Sequence, residues 1–127
     1  MSFDWTDFLA VADKLISMVA DRRLAEGYYR TAIGRAYFAA INFAKYALPQ
    51  QSLDRCPEDA NGHGYVIRQY KNGTSRDHKV VGDDLERLRI IRNKADYRPM
   101  WGDAGKQCAA ELSRAHRTIE RVKNHPL

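Results

Sequence analysis

Apolar residues recur at helical spacing along most of the chain, and no apolar–polar alternation of the strand type competes with them. The first such segment runs from about Asp4 to Asp21, with Trp5, Phe8, Ala12, Leu15 and Val19 on one face and Asp13 and Lys14 on the other. Asp4 is suited to cap its start, and Asp7 suits the electrostatics of a first turn. The second segment, Glu26 to Leu48, contains no proline, is rich in alanine and stops at Pro49. Ala32, Ala36, Ala39, Ala40 and Ala44 permit close approach, while Tyr29, Tyr37, Phe38 and Phe43 supply bulk around them. A helix apolar on several sides has to be covered by neighbours over much of its girth, so this segment predicts the central helix of the domain. On such a helix Tyr28, Tyr29, Tyr37 and Tyr46 read as core or dimer surface rather than as base-stacking rings.

Pro49 to Asn61 reads as a loop, with Pro57, Glu58, Asp59 and Asn61-Gly62 as breakers. His63 to Tyr70 predicts a short helix presenting Val66, Ile67 and Tyr70, followed by a turn or mobile loop from Lys71 to His78 around Asn72-Gly73. From Asp83 a third long helix is expected, with Leu85, Leu88, Ile91 and Ala95 as its buried stripe and Arg87, Arg89 and Arg92 largely outside it. Pro99 disfavours helical conformation at Arg98, so the helix ends or kinks there. The last helix runs from about Asp103 to Val122, and its Cys108, Leu112, Ala115, Ile119 and Val122 repeat as a core-facing stripe. These elements predict a single all-α domain over residues 1–127, a bundle with three or four main helices and a short one in an insert.

Composition excludes several classes. The longest apolar run, Ala36 to Ala44, is interrupted by Asn42 and is far short of the ~20 residues of a membrane span. No basic stretch leading into an apolar one opens the chain, which points to a cytoplasmic protein without membrane attachment. Cys56 and Cys108 form no CxxC pattern, and the four histidines form neither HExxH nor a His–Cys cluster. Reduced thiols are therefore expected, with no metal centre and no cofactor.

Charge adds a location. Lys and Arg total 21 against 16 Asp and Glu, a net +5. Residues 61–98 hold nine basic and five acidic residues, whereas the rest of the chain is nearly balanced at twelve and eleven. Arg outnumbers Lys fourteen to seven, and the planar guanidinium fork matches phosphate. Within that basic stretch, Arg92 and Asp96 stand at i, i+4, so the carboxylate can orient the guanidinium. Arg89 lies one turn earlier and about 60° round the helix, so that one phosphate can meet both arginines.

Three stretches together resemble a known family. Ile33-Gly34-Arg35-Ala36-Tyr37-Phe38-Ala39-Ala40, His63-Gly64 before a short apolar helix, and Leu88-Arg89-Ile90-Ile91-Arg92-Asn93-Lys94-Ala95-Asp96-Tyr97 are similar, in that order, to HEPN domains, particularly small prokaryotic members ending in Arg-x-x-Ala-Asp-Tyr. The resemblance implies an antiparallel HEPN-like bundle of four to five helices that forms a homodimer. It further implies an RNA-targeting protein of the ribonuclease-type toxin or phage-defence kind, restrained by a cognate nucleotidyltransferase. Any enzyme activity would be that of a metal-independent endoribonuclease.

The family motif is an Arg, a polar residue such as Asn, and a His four to six positions further on. Arg92 and Asn93 match its start, but Tyr97, Arg98 and Pro99 occupy the places where the His would stand. The expected catalytic set is therefore Arg92, Asn93, Asp96 and Tyr97, with Arg89, Lys94, Arg98, His63 and His78 around the RNA phosphates. Cleavage by the ribose 2′-hydroxyl needs a proton acceptor near neutrality, which Asp at ~3.9 and Tyr at ~10 supply poorly. His63 or His78 from the insert would have to fill that place, and Tyr97 is the nearest candidate for nucleotidylation. The alternative is a catalytically silent HEPN module that binds RNA, nucleotide or a partner protein.

Overall fold

The computed structural model describes residues 2–127, which are all-helical apart from their connections, with no strand among the described residues. Six helices follow one another: α1 (Thr6–Ser17), α2 (Arg22–Tyr46), α3 (Gln50–Asp54), α4 (Gly62–Lys71), α5 (Arg76–Tyr97) and α6 (Ala104–Asn124). The count exceeds the expected four to five because the Pro49–Asn61 segment is not all loop: the chain resumes helix directly after Pro49. Tyr65 of α4 donates its hydroxyl to the Ser52 carbonyl at 2.7 Å and ties that short turn down.

The alanine-rich α2 is the centre, packed against α1, α4, α5 and α6. Ala32, Ala36, Ala39, Ala40 and Ala44 are fully buried, together with Ile33 and Tyr37. Small side chains let the neighbouring helices approach, and each fully buried Ile or Leu contributes about 1.5–3 kcal/mol of transfer free energy. Helix α2 begins at Arg22 rather than Glu26 because the Asp21 carboxylate accepts from the Arg23 N–H at 2.8 Å and caps the first turn. In α1 the Asp4 carboxylate accepts from the N–H of Thr6 at 3.0 Å and from its hydroxyl at 2.6 Å. That helix ends at Ser17, so Val19 lies beyond it.

The largest departure from the sequence reading is at the start of α5, which begins at Arg76 and not near Asp83. Ser75 accepts from the His78 N–H at 3.1 Å while the His78 imidazole reaches back to the Ser75 N–H at 3.4 Å, a capping box with His in the usual Glu or Gln place. His78 is thus a first-turn helical residue and not part of a mobile loop. Gly82 sits inside α5, where a Cβ would come within 2.6 Å of Lys71 Cγ and 2.8 Å of Lys71 N, so α4 and α5 touch backbone to backbone there. Leu85, Leu88, Ile91 and Ala95 form the expected buried stripe, as do Cys108, Leu112, Ala115, Ile119 and Val122 in α6. Arg98 is extended before Pro99, ending α5 as the proline requires.

Two polar devices hold this frame. Arg30 of α2 donates through one guanidinium nitrogen to the carbonyls of Ala95 at 2.9 Å and Arg98 at 2.6 Å, satisfying the open end of α5. Between α5 and α6, Arg114 bridges the fully buried Glu111 at 3.0 Å and Asp84 at 3.2 Å. No helix is long and apolar enough to cross a membrane.

Candidate functional site

The site is built where α4 and α5 meet α2. Tyr37, fully buried on α2, lies within hydrogen-bond distance of His63 Nδ1, 2.8 Å from its hydroxyl oxygen. His63 is the second residue of α4, between two glycines, and its ring meets those of Tyr37 and Phe38 edge-on at 5.4 and 6.4 Å. From α5, the Arg92 guanidinium carbon lies 5.2 Å from the centre of the Tyr37 ring and 5.9 Å from that of Phe38. The two rings of α2 are therefore a π floor shared by a guanidinium and an imidazole.

The expected Arg92–Asp96 pair is present, with Nε 3.6 Å from the carboxylate, and Arg92 also donates to the Asn93 side-chain oxygen at 3.0 Å. The Arg92 side chain is 21% exposed, so it is neither sealed in the bundle nor free in solvent. Beside it, α4 and α5 enclose a groove of about 320 Å³ lined by Gly64, Arg68, Lys71, Arg89 and Asn93 among others. A Cβ on Gly64 would stand 3.3 Å from an Arg68 nitrogen and 3.5 Å from an Arg89 nitrogen, so both guanidiniums close over this glycine. Lys71 is paired with Glu86, whereas Arg68 and Arg89 have no carboxylate partner among the described residues. Helix α4 opens here without a side-chain cap, so its N-terminal N–H groups add to the positive potential.

These charges act on the neighbouring acids and bases. Burial lowers the pKa of His63, and the positive charges of Arg89, Arg92 and Lys45 lower it further, so the imidazole is neutral at pH 7. Burial pushes the Tyr37 phenol up to about 12, against the opposite pull of Arg89 and Arg92, so it keeps its proton. A hydroxyl can donate or accept, and Tyr37 therefore supports either neutral tautomer of His63. With Nδ1–H donated to Tyr37, Nε2 is left bare as a proton acceptor.

Of the residues singled out in the sequence, His63, Arg89, Arg92, Asn93 and Asp96 are brought together. His78 is not: it precedes Arg92 by about 21 Å of helix and bonds the Pro126 carbonyl at 3.2 Å from its other ring nitrogen. Tyr97 points into solvent at 76% exposure, Arg98 is exposed with its carbonyl held by Arg30, and Lys94 lies about 200° round α5 from Arg92. His116 is engaged elsewhere, 2.9 Å from Asp13 of α1.

The sequence reading missed Tyr37 as a polar partner, along with Lys45, Arg68 and Lys71. A helix starting at Gly62 does put Arg68 and Lys71 on the face of Gly64, at i+4 and i+7, so for those two a signal existed. Among the described residues no group of three or more His, Cys, Asp or Glu side chains is gathered to hold a metal ion. No family model matches the chain, and no curated protein or solved structure matches it.

Proposed function

We propose that the chain is a HEPN-like RNA-targeting protein, a metal-independent endoribonuclease of the toxin or phage-defence kind, in which His63 of α4 replaces the histidine missing after Arg92. The observation that carries this reading is the convergence of His63, Tyr37 and Arg92, from three different helices, beside a groove with two unpaired guanidiniums.

In this reading an RNA phosphodiester lies between Arg89 and Arg92, and His63 Nε2 takes the proton of the adjacent 2′-hydroxyl. The 2′-oxygen then attacks phosphorus, the P–O5′ bond breaks, and the proton returns from the imidazolium to the departing 5′-oxygen. The products are a 2′,3′-cyclic phosphate and a 5′-hydroxyl. Arg89 and Arg92 stabilise the charge of the phosphorane, while Asp96 and Asn93 position Arg92 and Tyr37 positions His63. The exposed Tyr97 hydroxyl is open to a cognate nucleotidyltransferase, and a second copy of the chain completes the homodimer that the resemblance implies.

The test is incubation of purified chain with end-labelled single-stranded RNA in excess EDTA. Cleavage to cyclic-phosphate ends is expected, reduced by about 10²–10⁴-fold in His63→Ala, lost in Arg92→Ala and retained in His78→Ala. A His63→Ala variant that cleaves at the wild-type rate overturns the mechanism. RNA bound by the wild type without any cleavage assigns the silent module instead, and RNA neither bound nor cleaved removes both.

A further inference from the structure

We infer a second site, for an unstacked nucleobase of single-stranded RNA, at the aromatic cleft where the start of α1 meets the end of α2. The inference rests on the RNA-directed reading above. The cleft, about 310 Å³ in volume, is lined by Phe3, Asp4, Trp5, Phe43, Tyr46 and Ala47. Trp5 and Tyr46 lie parallel, 5° apart in plane with centroids at 5.6 Å, and Phe3 stands edge-on to Trp5 at 5.1 Å. Half of Phe3 and half of Tyr46 remain in solvent, at 51% and 52% exposure. Tyr46 is therefore not core, unlike Tyr37 on the same helix. Flat, preorganised aromatic faces of this kind are what single-stranded nucleic acid stacks on.

Charge identifies the occupant. Lys45 Nζ lies 5.1 Å from the Tyr46 ring centre and Lys123 Nζ 5.8 Å from that of Phe43, so ammonium groups flank the rings. Asp4 offsets part of the Lys123 charge, an apolar peptide seated here would leave Lys45 buried beside it, and the phosphates on either side of a stacked base would meet both ammonium groups. Asp4 spends one carboxylate oxygen on Thr6, leaving the other as an acceptor for the amino edge of a base.

Side chains in contact link the cleft to the first site. Lys45, which stands against the Tyr46 ring, is also among the positive charges that act on His63. Rings connect them too: Phe3 to Phe8 at 5.2 Å, Phe8 to Phe38 at 6.2 Å and Phe38 to His63 at 6.4 Å. One strand can thus stack a base in the cleft while a phosphate further along it is held at Arg89 and Arg92. A duplex, whose bases are stacked inside it, cannot.

The experiment measures anisotropy of a fluorescein-labelled short single-stranded RNA, and of the duplex of the same sequence, with His63→Ala protein so that cleavage is slow against the measurement. Tyr46→Ala and Phe3→Ala are each expected to weaken single-strand binding by about 5- to 150-fold, with Tyr46→Phe unchanged and duplex binding untouched. Phe3 precedes α1, so its variant keeps the inference testable even where Tyr46→Ala disturbs the fold. The single strand should also quench tryptophan emission, and Trp5→Phe should remove that quenching. Wild-type affinity in both alanine variants overturns the inference, as does a change confined to oligomeric state, which would make the cleft a contact between copies. Binding that falls with Arg89→Ala but not with Tyr46→Ala leaves the groove reading standing and removes only the cleft, whereas no RNA affinity in the parent protein removes both.

Discussion

Tyr37→Phe removes one oxygen and separates the two contributions of this residue. The ring remains in the core and beneath Arg92, because Tyr37 is fully buried and its packing is that of a phenylalanine. What disappears is the 2.8 Å bond to His63 Nδ1. A neutral bond of this kind contributes about 0.5–1.5 kcal/mol net. His63 is half-buried, so water replaces part of the lost partner and the cost should fall near 1 kcal/mol. For a chain of 127 residues that corresponds to a drop in Tm of about 4 °C.

Under the proposed mechanism, the effect on cleavage should be larger than the effect on stability. An imidazole no longer held by the phenol turns out of line with the 2′-hydroxyl, and misplacement of about 1 Å costs up to about 10²-fold. The loss should appear in kcat and not in KM, because Arg89 and Arg92 stay where they are. Burial, the main cause of the low His63 pKa, also survives the substitution. The acid limb of the rate profile should therefore stay below pH 6.5 in both proteins, since the neutral base persists until pH falls through its lowered pKa. Thermal melts followed by circular dichroism, with single-turnover cleavage measured across pH, test all three parts. A variant that melts and cleaves as the wild type does, or one whose loss lies wholly in KM, refutes the reasoning.

Other perturbations read the frame around the site. Gly82→Ala should cost about 1–3 kcal/mol by forcing α4 off α5, whereas Gly27→Ala, whose Cβ meets nothing within 4 Å, should gain about 0.5–1 kcal/mol; urea midpoints decide both signs. Because the folded pKa of His63 lies below its ordinary 6.5, the unfolded chain takes up that proton first, so stability should fall as pH drops below 6.5 and His63→Gln should flatten that part of the curve. Cys108 is fully buried and its thiol is pushed up to about 11, first by burial and then by the charge of Asp13. Iodoacetamide at pH 8 should therefore modify the half-buried Cys56 in the native protein and reach Cys108 only on unfolding.

Local pattern carried most of the helices. The stripes of α5 and α6, the central place of α2 and the break at Pro99 all follow from spacing and backbone chemistry within one turn or two. The start of α5 was hidden because Gly82 resembles a boundary in sequence, while in space it is the residue that lets Lys71 pack close. Its real boundary is marked by Ser75 with His78, a pairing whose second member is not the usual one.

The site divides along the same line. Arg92 and Asp96 were legible as an i, i+4 pair on one helix. His63 and His78 were equal candidates in sequence, and what separates them is a hydroxyl on α2, 26 positions before His63, which no periodicity reveals. The Tyr37 ring follows from the pattern as bulk, but its oxygen leaves no mark there, because a buried tyrosine and a buried phenylalanine have the same pattern.

The grip of Arg30 on α5 falls on the main-chain oxygens of residues 95 and 98 and on no side chain there. Substitution at 96, 97 or 98 therefore leaves that anchor in place, provided the backbone path is kept. Evolution can exchange the acid, the phenol or the base at this helix end one at a time while the end of α5 keeps its anchor on α2, and a descendant could acquire new chemistry here without first having to rebuild its fold.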